Sequence, residues 1–213
     1  MLEKMKNNKL LIYIMIPFLI IITIITSKIL IGKELYIDKL AYNILVEGLR
    51  NPTMTIIMKN ITKLSNTGFM VIIATILTLL FLLHWKQKKV AILMPCSLAF
   101  ISLANHTLKI IFQRERPLGY RLIEISGYSF PSGHAMVSMA FYGLLIYIIN
   151  HLVKNKLLKN TLIIINIIII LLIGISRVYL GVHYMSDIIV GYSVSIIYLL
   201  LLTKGLKKFK IFP

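Results

Sequence analysis

The sequence predicts an all-α integral membrane protein: a six-transmembrane-helix bundle with short amphipathic outer-face helices between the first two spans. Three observations predict it. Of the 213 residues, 58% are hydrophobic and the mean hydropathy is +0.87, more apolar surface than a soluble domain of this length buries. The apolar residues gather in six runs near the length of about 20 residues that a bilayer core requires. The formal charge of +17 lies between and beside those runs, which favours a membrane surface over nucleic acid as the partner of the basic residues. The length suits one domain, so residues 1–213 are read as a single membrane-embedded unit.

The first run, 10–31, follows Lys4, Lys6 and Lys9. It exceeds a secretory apolar core and no small-x-small cleavage site follows, so it reads as a retained span rather than a signal peptide. The next two runs are 67–84 and 90–111. The last three, 135–150, 161–176 and 188–203, are short, with room for an extra turn from their neighbours. About 35 residues separate the first two runs. There Ile37, Leu40, Ala41, Ile44 and Leu45 recur at helical spacing, as do Met54, Ile57, Met58, Ile61 and Leu64. Asn51-Pro52 breaks the two sets apart. Both read as helices lying in the outer interface and capping the bundle, with guidance of a lipid head group as a further role. The single cysteine, Cys96, has no disulfide partner and no metal-site spacing, and reads as a small buried hydrophobe.

Loop charge sets the orientation. With the N-terminus inside, the inner segments carry thirteen basic residues (Lys4, Lys6, Lys9, Lys86, Lys88, Lys89, Lys154, Lys156, Lys159, Lys204, Lys207, Lys208 and Lys210) and one acid, Glu3. The outer segments carry eleven basic residues and six acids. Both termini are therefore expected in the cytoplasm of a multi-pass cell-membrane protein.

Ionisable residues at membrane depth are costly and are functional candidates by default. Three polar clusters stand near the expected outer face. The first, Lys109 to Pro117, reads K-I-I-F-Q-R-E-R-P; the second, Ser129 to His134, reads S-F-P-S-G-H; the third, Ser176 to Asp187, reads S-R-V-Y-L-G-V-H-Y-M-S-D. Lys109, Arg116 and Arg177 supply three fixed cations, the arginines with planar forks that suit phosphate oxygens. Ser132 suits the cap of the fourth span, and the amides around Gly133 add donors at a helix N-terminus. Together these form a nest for a tetrahedral dianion. His183 and Asp187 are four apart, one turn if the segment is helical, so the carboxylate can fix the imidazole tautomer and leave the other nitrogen free to attack. His134 can then protonate the leaving oxygen from the opposite side.

The pattern K-x(6)-R-P, then P-S-G-H, then S-R-x(5)-H-x(3)-D resembles the type 2 phosphatidic acid phosphatase family, which shares its site with vanadium haloperoxidases. Lys109, Arg116, Pro117, Pro131, Ser132, Gly133, His134, Ser176, Arg177, His183 and Asp187 all match. The motifs occupy 109–187, and the six-span layout extends the likeness to most of the chain. The resemblance implies a phosphohistidine on His183 supported by Asp187, a proton from His134, and phosphoryl oxygens held by Lys109, Arg116, Ser132, Gly133 and Arg177. It also implies no metal and no cofactor. Ser176 gains a place only through the resemblance; on its own it reads as packing.

Around the clusters, His106 reads as structural, with a pocket-facing alternative one turn before Lys109. His84 and His151 read as interfacial. Glu115 and Arg121 border the site and are candidates for tuning head-group choice. Tyr179 and Tyr184 are candidates for lining the entrance, although aromatic residues also belong at membrane interfaces.

The expected activity is hydrolysis of a lipid phosphomonoester or pyrophosphate at the outer face. Undecaprenyl pyrophosphate is the preferred substrate, because the Ile- and Lys-rich composition suggests an AT-rich bacterial genome and an outward site suits carrier-lipid recycling. Phosphatidylglycerol phosphate and phosphatidic acid are close rivals. The partners are the lipid phosphate and membrane lipids, not nucleic acid. Lipid phosphotransfer, vanadate-dependent halide oxidation and non-enzymatic lipid binding or translocation are the competing classes; the last leaves two matched histidines without a role.

Overall fold

Backbone amides and carbonyls have no water partner inside a bilayer, so an apolar run satisfies them internally by becoming a helix. In the computed structural model, which describes residues 2–84, 87–209 and 211, with side chains from residue 9, all six runs are helical. Lys86 and Lys210, and the side chains of Glu3, Lys4 and Lys6, lie outside the described residues. The first span is α1 (Leu2–Leu30). Then come α2 (Tyr36–Tyr42), which widens into π-type turns over Asn43–Gly48, and α3 (Pro52–Lys63). The second span is α4 (Thr67–Leu79), continued by a π-type turn over Leu80–His84. The third is α5 (Lys88–Ala91) with α6 (Leu93–Phe112); Pro95 sits in the first turn of α6, where its missing N–H has no helical partner to lose. The last three are α7 (Gly133–Leu152), α8 (Lys156–Tyr179) and α9 (Met185–Lys208). These three outrun the apolar stretches in the sequence, because Lys156, Lys159, Arg177 and Asp187 are helical despite their charge.

Helix α7 is the centre of the bundle. Half of its span is buried by protein, against 6% of the span in α1. It packs on α6, α8 and α9, while α1 leans on α9 and α4 on α6. Met94, Phe141, Leu144 and Ile173 fill the interior between them. Small residues set the closest approaches. A Cβ on Gly174 would overlap the Tyr192 hydroxyl, which donates to the Ile170 carbonyl. Cys96 departs from expectation: it is exposed on the outer surface of α6. In a bilayer the exterior is as apolar as the core, so an apolar neighbourhood in the sequence does not distinguish the two.

The segment between the first two spans is pinned to the end of α8. Asn51 caps α3 by accepting from the Met54 amide at 2.8 Å, with Pro52 opening the helix. Arg50 donates to the Tyr179 carbonyl through Nε (3.0 Å) and Nη2 (2.7 Å), and to the Tyr120 carbonyl at 2.8 Å. These bonds satisfy acceptors that the end of α8 leaves open. Tyr179 is fully buried. Its hydroxyl accepts from the Asn51 amide at 3.2 Å and lies 3.0 Å from Thr55 Oγ1. It therefore staples α3 to α8 and does not line an entrance. Ala41 and Met58 are buried while Ile37 and Ile57 stay exposed, as amphipathic helices lying on the bundle require. The result gathers the C-terminal ends of α6 and α8, the N-terminal ends of α7 and α9, and both short helices at one end of the molecule.

Candidate active site

The first cluster leaves α6 through a left-handed residue, Gln113 (φ 46°), whose N–H closes the helix on the Lys109 carbonyl. The loop that follows is tied back on itself: the Ser129 amide donates to the Arg114 carbonyl at 2.8 Å and its hydroxyl to the Glu115 carbonyl at 2.9 Å. Lys109 Nζ donates to the Tyr128 carbonyl. Arg116 is buried with its fork spread over Gly127 O (2.9 Å), Val182 O (2.8 Å) and Ser126 O (3.3 Å). The same Nη1 stands 3.1 Å from His183 Nε2.

The second cluster opens α7. Ser132 is its N-cap, accepting from the Ala135 amide at 3.4 Å, and the Ser132 amide donates to the Asp187 carbonyl at 3.2 Å. Asn105, from α6, donates to the Pro131 carbonyl at 3.0 Å. A Cβ on Gly133 would lie 2.9 Å from Asn105 Oδ1, so glycine permits this contact. His134 Nε2 is 3.1 Å from Asn66 Oδ1, at the start of α4.

The third cluster does not form the helical turn that its spacing suggests. His183 lies in the loop before α9, and Asp187 is at the third position of that helix. Its Oδ2 reaches back to accept from the Tyr184 amide (3.0 Å), in the manner of a capping box, and from His183 Nδ1 (3.2 Å). The i, i+4 pair therefore meets through a helix cap. With Nδ1 donating to the carboxylate, Nε2 keeps its lone pair. Arg177, 1% exposed at the end of α8, donates to Thr62 Oγ1 of α3 at 2.7 Å. Its Nε and Nη2 are buried with no partner among the described residues. Buried donors rarely go unpaired, at a cost of about 1–3 kcal/mol each, so these two mark where an anion fits. Burial first, then the charges of Arg177, Arg116 and Lys109, hold the His183 imidazole well below its ordinary pKa.

The three clusters thus meet at one end of the bundle, Arg116 on His183, His183 on Asp187 and Ser132 on the Asp187 carbonyl. Ser176 is fully buried and spends its hydroxyl on the Ile173 carbonyl at 2.6 Å, in keeping with packing. His106 is exposed and Asn105 beside it is the inward residue. His151 Nδ1 is 2.8 Å from the Tyr147 carbonyl, one turn back on the same helix. Two cavities border the site. One of about 930 Å³ contains His183, Tyr184, Arg114 and Glu115; the other, of about 610 Å³, contains Gly133, His134 and Asn105. Arg121 instead turns to the Pro117 carbonyl at 2.8 Å and lines neither cavity.

The family model described as the PAP2 superfamily matches residues 91–211, more than half of the chain. The chain belongs to the PAP2 superfamily. Among curated proteins, phosphatidylglycerophosphatase B of Bacillus subtilis (strain 168) is 31% identical over 158 residues, spanning 74% of this chain and 77% of its own. Among solved structures, the first transmembrane PAP2-type phosphatidylglycerolphosphate phosphatase from Bacillus subtilis superposes with a TM-score of 0.80 at 29% identity, covering 91% of this chain and 96% of that one. Aquifex aeolicus LpxE shares the fold at a TM-score of 0.59 and 21% identity, over 76% and 92% of the two chains. This PAP2 protein is a multi-pass bacterial membrane lipid phosphatase.

The PAP2 motif letters omit two residues that the geometry brings forward. Arg114 Nη1 donates to Asp187 Oδ1 and to Ser186 Oγ, both at 2.7 Å, and its guanidinium stacks 3.9 Å over the Tyr184 ring. Arg114 Nη2 donates to Asp38 Oδ2 at 2.9 Å, and Asp38 accepts the Ser186 amide at 2.7 Å. An aspartate in α2 is thereby joined to the carboxylate behind His183. The sequence offered one signal for Arg114, a second arginine in R-E-R-P, and none for Asp38. Removing one partner of a buried ion pair costs about 3–5 kcal/mol. Arg114→Ala is expected to lower kcat on a lipid phosphate by about 10- to 100-fold, with partial recovery in Arg114→Lys; turnover in detergent, with circular dichroism to verify retained helix, checks it.

Proposed function

We propose that this phosphatase hydrolyses the terminal phosphate of an anionic lipid through a phosphohistidine on His183. The observation that carries the reading is the pair of Arg177 donors, buried without a partner among the described residues, together with the His183 imidazole whose Nδ1 is held by Asp187. The phosphoryl oxygens take the Arg177 donors, Lys109, the Ser132 hydroxyl and the Gly133 amide. Arg116 Nη1, which rests against Nε2, turns to an oxygen of the arriving phosphate and so uncovers the nucleophile. The Nε2–P bond forms as the P–O bond to the lipid breaks, and His134 delivers a proton to the leaving oxygen. Water then attacks from the side that the lipid vacated. His134 takes the water proton, the N–P bond breaks, and His183 and free phosphate are restored.

Phosphatidylglycerol phosphate is the first substrate to test, on the strength of the named activity of the curated relative. Undecaprenyl pyrophosphate and phosphatidic acid complete the panel, and the hydrocarbon tail adds little discrimination among them. We expect His183→Ala to lose turnover by about 10⁴-fold or more and His134→Ala by about 10²- to 10⁴-fold. Brief reaction of His134→Ala with ³²P-labelled lipid is expected to leave an acid-labile, base-stable label that His183→Ala lacks. Full activity in His183→Ala sinks the reading.

His183 attacks only in its neutral form. Because its pKa lies well below the usual value, the ring stays neutral as pH falls through about 6.5, and the nucleophile is not lost there. A ¹⁵N-histidine NMR titration, with His183 assigned by difference against His183→Ala, is expected to show a neutral ring at pH 6. A protonated ring at that pH contradicts this.

We also propose that both termini are cytoplasmic and that the site opens on the outer face, on the strength of loop charge. In a Cys96→Ser background, an impermeant maleimide added to intact cells is expected to label Leu118→Cys and spare Lys154→Cys; the reverse pattern inverts the topology.

A further inference from the structure

Four of the five residues from Thr62 to Asn66, where α3 hands over to α4, bond to the helices that carry the site. Thr62 Oγ1 accepts from Arg177 Nη1 at 2.7 Å, and the Leu64 carbonyl accepts from the Tyr142 hydroxyl of α7 at 2.9 Å. Ser65 Oγ donates to the His134 carbonyl at 3.1 Å, and Asn66 Oδ1 lies 3.1 Å from His134 Nε2. Thr62 and Ser65 are buried. The segment lies outside the three polar clusters, and the PAP2 match begins only at residue 91. His134 is therefore gripped twice, by its backbone and by its ring, from a stretch that the motif letters do not reach.

Asn66 gives up a local bond to make this contact. It stands at the N-cap of α4, where an asparagine side chain ordinarily accepts from a first-turn amide. Asn51 does so for α3 and Asn155 for α8. Asn66 makes no cap bond and offers its oxygen to His134 instead. The chemistry of proton donation fixes which way round the amide serves. An imidazole about to give up a proton carries hydrogen on both nitrogens, so only the carbonyl oxygen of an amide can face Nε2. With Nε2–H held there, Nδ1 is the nitrogen left to exchange a proton.

We propose that Asn66 is a positioning residue for the proton donor: it fixes the tautomer and orientation of His134, so that Nδ1 serves the leaving oxygen. The proposal rests on the assignment of His134 as that donor. In the first transfer the Nδ1–H bond breaks, and its proton joins the oxygen that keeps the electron pair of the broken P–O bond. In the second, the Nδ1 lone pair takes a proton from the attacking water. The Nε2 hydrogen stays on Asn66 throughout. Asn66 thus does for His134 what Asp187 does for His183.

The test sets two dioleoyl lipids side by side on the purified full-length protein in mixed micelles. Phosphatidic acid expels an alkoxide, which needs a proton; diacylglycerol pyrophosphate expels a phosphate, which does not. The tails are the same, and kcat/KM covers the first transfer alone. Because Asn66 is exposed, water takes part of its place when it is removed. Asn66→Ala is expected to lose about tenfold in kcat/KM on phosphatidic acid and no more than about twofold on the pyrophosphate, and His134→Ala to show the same pattern at greater depth. Asn66→Asp, which returns an acceptor oxygen to the same place, is expected to recover phosphatidic acid turnover to within about threefold of the wild type. Asn66→Ser, whose hydroxyl caps a helix but ends one bond short of the Asn66 oxygen, is expected to stay as low as Asn66→Ala. Equal loss on both lipids, no loss on either, or recovery in Asn66→Ser overturns the proposal; the last result makes Asn66 a helix cap. Failure of the underlying reading looks different: the wild type hydrolyses neither lipid, His183→Ala hydrolyses both, or His134→Ala itself loses both equally.

Discussion

The Asp187 carboxylate is the point on which the site depends. Fully buried, it divides its two oxygens between separate tasks: Oδ2 takes His183 Nδ1 and the Tyr184 amide, and Oδ1 takes Arg114. The Tyr184 contact begins α9, so the group that orients the imidazole also starts a membrane span. A buried carboxylate without such partners is unfavourable by several kcal/mol. The arrangement therefore stands or falls as a unit, and the helix start, the imidazole tautomer and the loop arginine share one anion.

The cations are not equivalent. Lys109 and Arg116 are already engaged by backbone carbonyls of the loop before α7. Arg177 is anchored by one nitrogen to Thr62 and has two donors left over. Donors fixed before the anion arrives need no reorganisation when charge develops, which is how an electrostatic site is most effective. The bundle supplies that rigidity: α8 carries Arg177, and α3, stapled by Tyr179 and Asn51, holds Thr62 against it.

Much of this was legible in the sequence because membrane chemistry makes it so. A lysine or arginine inside an apolar run has few structural reasons to be there, so Lys109 and Arg177 announced themselves, and P-S-G-H marked a helix start. What stayed hidden depends on long-range contacts. Arg114 looked like one more basic loop residue until its pairing with Asp187 and Asp38, 73 and 76 positions away, came into view. Asn105 was masked by the more conspicuous His106, and one residue of helical phase decides which faces inward. Hydropathy reports apolar surroundings at Cys96 without saying whether lipid or protein provides them, and the place of Tyr179 beside Arg177 gives no sign of its long-range contacts with Asn51 and Thr55. The last three spans read short because helix ends are polar, at Arg177 and Asp187 beside the site and at Lys156, Lys159, Lys207 and Lys208 at the opposite ends.

The bond network at Asp38 has a bearing on how this segment can vary. Asp38 accepts from Ser186 and Arg114 across 148 and 76 positions, so α2 is fastened at a single register to the base of the last span. An ordinary surface connection tolerates insertions at small entropic expense. This one does not have that latitude: adding a residue between the first span and Asp38 rotates the carboxylate by about 100° if the helix absorbs it. A chimera that borrows the outer segment of another protein must therefore carry over its phase relative to Ser186 along with its hydrophobicity.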